Sequence, residues 1–202
     1  MLAFGNYTFR IAGVLLLNFW IILDCIDGNI ARYQKSSSRY GEFLDALSGY
    51  FINAFLFLSV GIGAFSYPEP SFKVINRFFS SGLNESFLII LGAWASLAII
   101  LSRLIFHKFQ NTFHQTQSFR EGFIGKSSKG FIFVIYILIH NLLSPSGFLM
   151  PILFLAAFFK LLSLFIFFYS LVSSVILIIA IFKFILKSRK LDKYLKINKR
   201  LI

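Results

Sequence analysis

The stretch that decides the fold of this chain is Asp24-Cys25-Ile26-Asp27-Gly28-Asn29-Ile30-Ala31-Arg32, followed after eight residues by Gly41-Glu42-Phe43-Leu44-Asp45. Its first part closes a long apolar run, where an unpaired carboxylate is costly and usually functional. On a helix, the two aspartates and the two smallest side chains share one face, at i, i+3, i+4 and i+7: Asp24, Asp27, Gly28 and Ala31. Such a face can hold a metal ion and leave room for a ligand.

Asp45 begins the next predicted helix, and a short basic loop separates it from the first. This loop allows Asp45 to fold back towards Asp24 and Asp27, so that three oxygen ligands suited to a divalent cation converge at a membrane face. The competing interpretation is a set of loop acids that pair with neighbouring cations, namely Arg32, Lys35 and Arg39. Ion pairing does not require the glycine spacing, so we favour the metal site.

The whole stretch resembles the CDP-alcohol phosphatidyltransferase family, whose pattern is D-x2-D-G-x2-A-R-x8-G-x3-D-x3-D. Seven positions match at the family's spacing: Asp24, Asp27, Gly28, Ala31, Arg32, Gly41 and Asp45. The last position departs, because Gly49 stands in place of the fourth aspartate. The resemblance implies transfer of a phosphatidyl group from a CDP-linked lipid, such as CDP-diacylglycerol, to a small alcohol acceptor. CMP would be released, in a step of phospholipid biosynthesis.

The resemblance also implies roles for individual residues. A two-metal site for Mg²⁺ or Mn²⁺ would use Asp24, Asp27 and Asp45 as ligands. The cytidine nucleotide would lie against the same motif: Asp24, Gly28, Ala31, Arg32 and Gly41. In the family, the fourth aspartate completes the metal site and accepts the proton of the alcohol. Gly49 can do neither, so the sequence identifies no catalytic base and leaves the second metal ion without its family ligand.

Gly49 leaves two hypotheses of different classes. One is an active phosphatidyltransferase with a weakened site, since a general base typically contributes roughly 10² to 10⁴ in rate and slow turnover without it is possible. The other is a catalytically impaired, family-derived membrane protein that binds CDP-lipid or an active partner. An unrelated transporter is a poorer interpretation, because its acidic residues should lie near the middle of the membrane.

Composition places the chain in the lipid bilayer. Of its 202 residues, 57% are hydrophobic and 14% are charged, with a mean hydropathy of +0.78. A soluble domain has about half apolar and about a quarter charged residues. At roughly 20 residues per crossing, the length suits about five transmembrane helices. We therefore predict an all-α, polytopic membrane helix bundle that forms a single domain, residues 1–202.

Apolar runs and their breaks predict where the helices lie. The first extends through the motif to residue 33, and the next two span about 41–65 and 86–106, joined by a polar connection over 67–84. A short apolar run at 131–143 and a final crossing at about 163–186 follow. Small residues in the third helix favour close packing or a dimer surface: Gly92, Ala93, Ala95 and Ser96. The family usually has a helix before the motif, so the resemblance implies a shortened member or a start upstream of Met1.

Positive charge predicts the orientation of the bundle. The formal net charge of +12 could suggest a nucleic acid partner. The cations lie between and after apolar runs, however, as they do in the cytoplasmic segments of membrane proteins, so we expect no nucleic acid partner. The motif loop, the segment 107–130 and the basic tail would face the cytoplasm, so 148–186 must cross the membrane once. We expect a multi-pass protein of a cell membrane, such as the bacterial inner membrane, with its active site facing the cytoplasm.

The segment 107–130 also offers cations that suit phosphate. By resemblance, Arg120, Lys126 and Lys129 would bind a phosphate of the acceptor or of the lipid diphosphate. A topogenic loop that faces anionic headgroups is an equally good interpretation of the same charges.

Overall fold

The fold is helical throughout the part of the chain that the computed structural model describes, residues 2–3, 6–35, 38–67, 69–79, 84–113 and 145–198. These ranges contain no strand. The helices are α1 (Tyr7–Tyr33), α2 (Arg39–Ser66), α3 (Pro70–Phe79), α4 (Phe87–Phe113), α5 (Met150–Phe158) and α6 (Leu162–Asn198), with a segment kinked at Gly147 (Pro145–Leu149) before α5. The all-α prediction is confirmed. The predicted run at 131–143 lies outside the described residues.

Four of the described helices are long and apolar enough to cross a membrane. They are α1, α2, α4 and the part of α6 that spans Leu162–Asp192, and Gly147–Phe158 forms a shorter apolar helix. The prediction of a polytopic bundle of about five helices is confirmed. The predicted final crossing at about 163–186 lies within α6, and α5 precedes it as a separate short helix.

The connection between α2 and α4 differs from its prediction, because α3 occupies most of it. Pro70 begins this helix, at the first helical position, where the missing N–H is not needed. Phe72 and Ile75 are buried on one face, whereas Lys73 and Arg77 are exposed. A short amphipathic helix of this kind resembles a polar loop in sequence, since it alternates apolar and charged residues over only ten positions.

The centre of the bundle is a close crossing of α2 and α4. A Cβ atom built on Gly61 would lie 3.1 Å from the Cα of Gly92 and 2.6 Å from the Leu88 carbonyl oxygen. Ser96 supports the crossing, since its Oγ accepts a hydrogen bond from the Leu58 N–H at 3.2 Å. The prediction of close packing is confirmed for the buried Gly92, Ala95 and Ser96, whereas Ala93 is exposed. On its other side α4 packs against α6.

The first helix packs mainly on α5 and is fixed at its N-terminal end. Tyr7 donates from its hydroxyl to the carbonyl oxygen of Phe158 at 2.8 Å. Arg10 forms a buried ion pair with Glu69 and also donates to the Gly63 carbonyl. Lys160, at φ 57°, adopts the left-handed conformation that ends α5 and lets α6 begin.

The second end of the bundle carries the motif. At this end the C-terminal parts of α1, α4 and α6 lie near the beginning of α2. We call this end of the bundle the motif end. Lys187 Nζ of α6 lies 5.6 Å from the ring centroid of Phe109 in α4. The basic tail, which continues as helix to Asn198, therefore leaves the bundle from the same end as the motif loop.

Candidate active site

A cavity of about 320 Å³ lies at the motif end between α1, α2 and α4. Three helices form its walls, and each contributes residues about one helical turn apart that face the cavity. The lining consists of Trp20, Ile21 and Asp24 from α1, of Asp45, Ala46, Ser48, Gly49, Tyr50, Ile52 and Asn53 from α2, and of Arg103 and His107 from α4. Acidic, basic and aromatic side chains therefore face one space at the motif end.

Two of the three predicted metal ligands share this cavity. Asp24 is half-buried on α1, and Asp45 is exposed in the second turn of α2. Asp27 is exposed one turn beyond Asp24 and does not line the cavity. Over the described ranges, no three His, Cys, Asp or Glu side chains lie close enough together to hold a metal ion. The structure thus brings Asp24 and Asp45 together and places Asp27 beside them.

The short loop explains how Asp45 returns to α1. Lys35, at φ 51°, ends the first helix in the left-handed conformation. Ser38 then caps α2, since its Oγ accepts a hydrogen bond from the Gly41 N–H at 3.0 Å. The matched Gly41 therefore belongs to the cap, and a Cβ atom there would lie 3.3 Å from the Ser38 hydroxyl.

Position 49, where the sequence departs from the family pattern, faces α4. Gly49 lines the cavity one turn after Asp45, and the buried Asn53 donates from Nδ2 to the Gly49 carbonyl at 2.6 Å. A Cβ atom built on Gly49 would lie 3.2 Å from Nη1 of Arg103. The direction in which a side chain would extend from position 49 thus leads to a guanidinium group.

Sequence reasoning missed both cavity residues of α4. Arg103 is half-buried, and His107 is one turn further on, with its ring centroid 5.9 Å from that of Tyr50. The sequence offered no reason to place His107 in the site, because it has no metal-ligand spacing to another histidine. One sequence feature could have identified Arg103: it is an ionisable residue inside an apolar run, which is a functional candidate by default.

Comparison with protein families gives a match that covers most of the chain. The sequence model described as CDP-alcohol phosphatidyltransferase matches residues 1–186. The chain belongs to this family. The resemblance of the motif is thereby confirmed, and membership implies transferase activity in phospholipid synthesis. Neither a curated protein nor a solved structure gives a match.

The remaining motif residues of this CDP-alcohol phosphatidyltransferase family member lie along α1, next to the cavity rather than in its lining. Arg32 donates from Nη2 to Asn29 Oδ1 at 3.0 Å, and its guanidinium lies 3.7 Å from a Cβ atom built on Gly28. Ala31 is half-buried on the same helix. The Arg32 side chain therefore packs over the surface of α1 where Gly28 has no side chain.

Three predicted phosphate-binding cations cannot be placed. Arg120, Lys126 and Lys129 all lie outside the described residues. Their role stays a prediction from the sequence.

Family membership implies a divalent cation, Mg²⁺ or Mn²⁺, and the cavity fits one such ion. Asp24 and Asp45 supply hard oxygen donors from two helices, and Mg²⁺ is commonly bound by one or two carboxylates together with substrate phosphates. A second ion does not fit, because Gly49 offers no ligand and Arg103 places a positive charge beside it. The donor set therefore suits a single metal ion.

Proposed function

We propose that this chain transfers a phosphatidyl group from a CDP-linked lipid, such as CDP-diacylglycerol, to the hydroxyl of a small alcohol, and releases CMP. The observation that carries the proposal is the shared cavity of Asp24 and Asp45 at the motif end. Family membership supports the reaction class. The hydroxyl oxygen forms a bond to the lipid-side phosphorus, the bond from that phosphorus to the CMP oxygen breaks, and the hydroxyl proton passes to a base.

Asp24 and Asp45 are proposed as the metal ligands. Asp27 is proposed as a third ligand whose exposed side chain would turn towards the cavity from the adjacent turn of α1, since it does not line the cavity in the structure. The bound cation would neutralise charge on the diphosphate as the leaving group departs. The nucleotide would lie along α1 and the cap of α2, against Gly28, Ala31, Arg32 and Gly41. Glycine and alanine keep the helix surface low at these positions, and the nucleotide would displace the Arg32 guanidinium from Gly28 while keeping its positive charge nearby.

The proton acceptor must be a residue other than the missing aspartate. With Asp24 and Asp45 engaged as metal ligands, His107 is the group in the described cavity lining that is left to accept a proton. We propose that its imidazole takes the proton of the acceptor hydroxyl. Imidazole is the side chain most often used for this purpose in enzymes.

The orientation and the acceptor site complete the proposal. The motif end would face the cytoplasm, because the motif loop, the end of α4 and the basic tail all lie there and cations favour that side. Arg120, Lys126 and Lys129 would bind a phosphate of the acceptor or of the lipid. All of residues 1–202 would act as one domain in a cell membrane.

The proposal is tested by CMP release from CDP-diacylglycerol in mixed micelles containing Mn²⁺. Candidate acceptors are glycerol 3-phosphate, inositol, inositol phosphate and serine. We expect release with at least one of them, and its loss in Asp24→Asn and in Asp45→Asn. Glu42→Gln is the matched control, because Glu42 is an exposed carboxylate of α2 that does not line the cavity.

A second candidate function follows from the same assay. Gly49 lacks the family's carboxylate, which favours a protein that binds CDP-lipid without turning it over. Binding of CDP-diacylglycerol to the purified parent with no CMP release from any acceptor would establish this second function and overturn the first. Release at rates that are unchanged in both aspartate variants would show that the cavity is not the active site.

A further inference from the structure

Arg103 approaches the place that a fourth metal ligand would need. It reaches from α4 to within 3.2 Å of a Cβ atom built on Gly49. An aspartate at position 49 would bring its carboxylate into contact with this guanidinium. A cation bound at the same place would face a fixed positive charge at short range, which is strongly unfavourable in a partly buried cavity.

The guanidinium has donors available to a ligand. No salt bridge joins Arg103 to Asp24 or Asp45, although all three line the cavity. Across the described part of the chain, no side chain or carbonyl group accepts a hydrogen bond from its guanidinium. A half-buried arginine that faces two carboxylates across a cavity, without pairing with them, leaves space for an anion that a metal ion can bridge.

We propose that Arg103 binds the diphosphate of the CDP-linked lipid where the family uses its second metal ion, so that this chain acts with a single divalent cation. This inference rests on the proposed function. The planar guanidinium presents paired N–H donors that match phosphate oxygens, and it keeps its charge at any physiological pH.

The summed charges support the replacement of one metal ion by Arg103 and of one aspartate by Gly49. Four carboxylates with two divalent cations sum to zero. The three motif aspartates, Arg103 and one divalent cation also sum to zero. Two divalent cations beside Arg103 would leave the site with an excess of two positive charges, which the missing carboxylate does not offset. Replacing one acid by glycine and one metal ion by arginine therefore preserves the electrostatic balance that a diphosphate meets.

The first test is the number of metal ions bound, measured by electron paramagnetic resonance during Mn²⁺ titration of the purified protein with CDP-diacylglycerol. We expect one Mn²⁺ per chain in the parent. Gly49→Asp alone should still bind one, because its new carboxylate pairs with Arg103. The double variant Gly49→Asp/Arg103→Leu should bind two. Either none or two in the parent, or two in Gly49→Asp, would overturn the proposal.

The second test is affinity for the diphosphate at a fixed Mn²⁺ concentration. Arg103→Leu should weaken CDP binding about 10- to 100-fold, as expected for the loss of a charge-assisted bidentate contact, with a smaller effect on CMP. Arg103→Lys should recover part of the loss. Arg103→Gln serves if the leucine variant does not fold. The matched control is Lys108→Leu, which removes an exposed cation of the same helix that does not line the cavity.

These measurements separate the two proposals. Metal stoichiometry and CDP affinity need no turnover, so they test Arg103 even if no acceptor gives CMP release. Equal losses for CDP and CMP, or no loss in either Arg103→Leu or Arg103→Gln, would overturn the role of Arg103. The transferase assignment would be unaffected by that result.

Discussion

Arg10 and Glu69 form an ion pair with Nη1 3.1 Å from Oε1, and their side chains are only 3% and 2% exposed. Glu69 also accepts hydrogen bonds from the Ser71 hydroxyl and the Ser163 N–H, each at 3.2 Å. One carboxylate therefore joins α1, α3 and α6 at the end opposite the motif. Removal of one partner from a buried pair leaves the other charge uncompensated, which costs roughly 3–5 kcal/mol.

We accordingly expect Glu69→Ala to lower the apparent melting temperature in detergent far more than Glu42→Ala, which removes an exposed carboxylate. In the double variant Arg10→Met/Glu69→Ala the loss should be clearly smaller than the sum of the two single losses. Additive losses would show that the pair contributes no coupling to stability.

The crossing of α2 and α4 predicts an unusual sensitivity to alanine. Gly61→Ala and Gly92→Ala should each lower the melting temperature, because the new Cβ atoms would lie 2.6 Å and 2.5 Å from carbonyl oxygens of the facing helix. Gly28→Ala is the control, since its Cβ atom would meet only the Arg32 side chain, at 3.7 Å. Alanine is the better helix former by about 1 kcal/mol, so Gly28→Ala should melt at or above the parent temperature. Equal effects at all three positions would contradict the close crossing.

His107 provides the sharpest prediction about the chemistry. His107→Gln should lower CMP release roughly 10²- to 10⁴-fold, because a positioned general base contributes about that much. The number of Mn²⁺ ions bound should stay unchanged, since His107 is not a proposed ligand. Lys108→Leu, on the next residue, should retain the parent rate. Parent-like turnover of His107→Gln would assign the proton to another acceptor.

The orientation predicts a labelling pattern in a Cys25→Ser background. Single cysteines in place of Ser37, Ser118 and Ser188 should react with an impermeant thiol reagent only after the cells are permeabilised. Asn84→Cys, at an exposed position beyond α3, should react in intact cells. Labelling of any of the first three from outside would overturn the topology.

The membrane helices were predictable because local composition determines them. Residue 33 ends both the predicted and the observed first helix, and the second extends over Arg39–Ser66 against a predicted 41–65. The helix α3 was missed, because the burial of Phe72 and Ile75 depends on packing that no local pattern records.

The site also has one part that local sequence predicts and one part that depends on packing between distant helices. The approach of Asp45 to Asp24 follows from a motif on two consecutive helices and a short loop. The approach of Arg103 to Gly49 joins residues 54 positions apart on helices that pack through other side chains. Sequence could mark Arg103 as an ionisable residue in an apolar run, but only the packing of α4 on α2 gives it a neighbour.

The length of α6 has a consequence for how an anionic lipid would reach the cavity. At 1.5 Å per residue, 37 residues extend about 55 Å, whereas the hydrocarbon core is about 30 Å thick. If α6 crosses the hydrocarbon core once, it would extend beyond that core at the motif end and carry Lys187, Arg189 and Lys190 into the headgroup layer. These cations attract negatively charged lipids over about 8 Å at physiological ionic strength. Substrate capture should accordingly weaken as salt rises, even where the bound complex itself is unchanged.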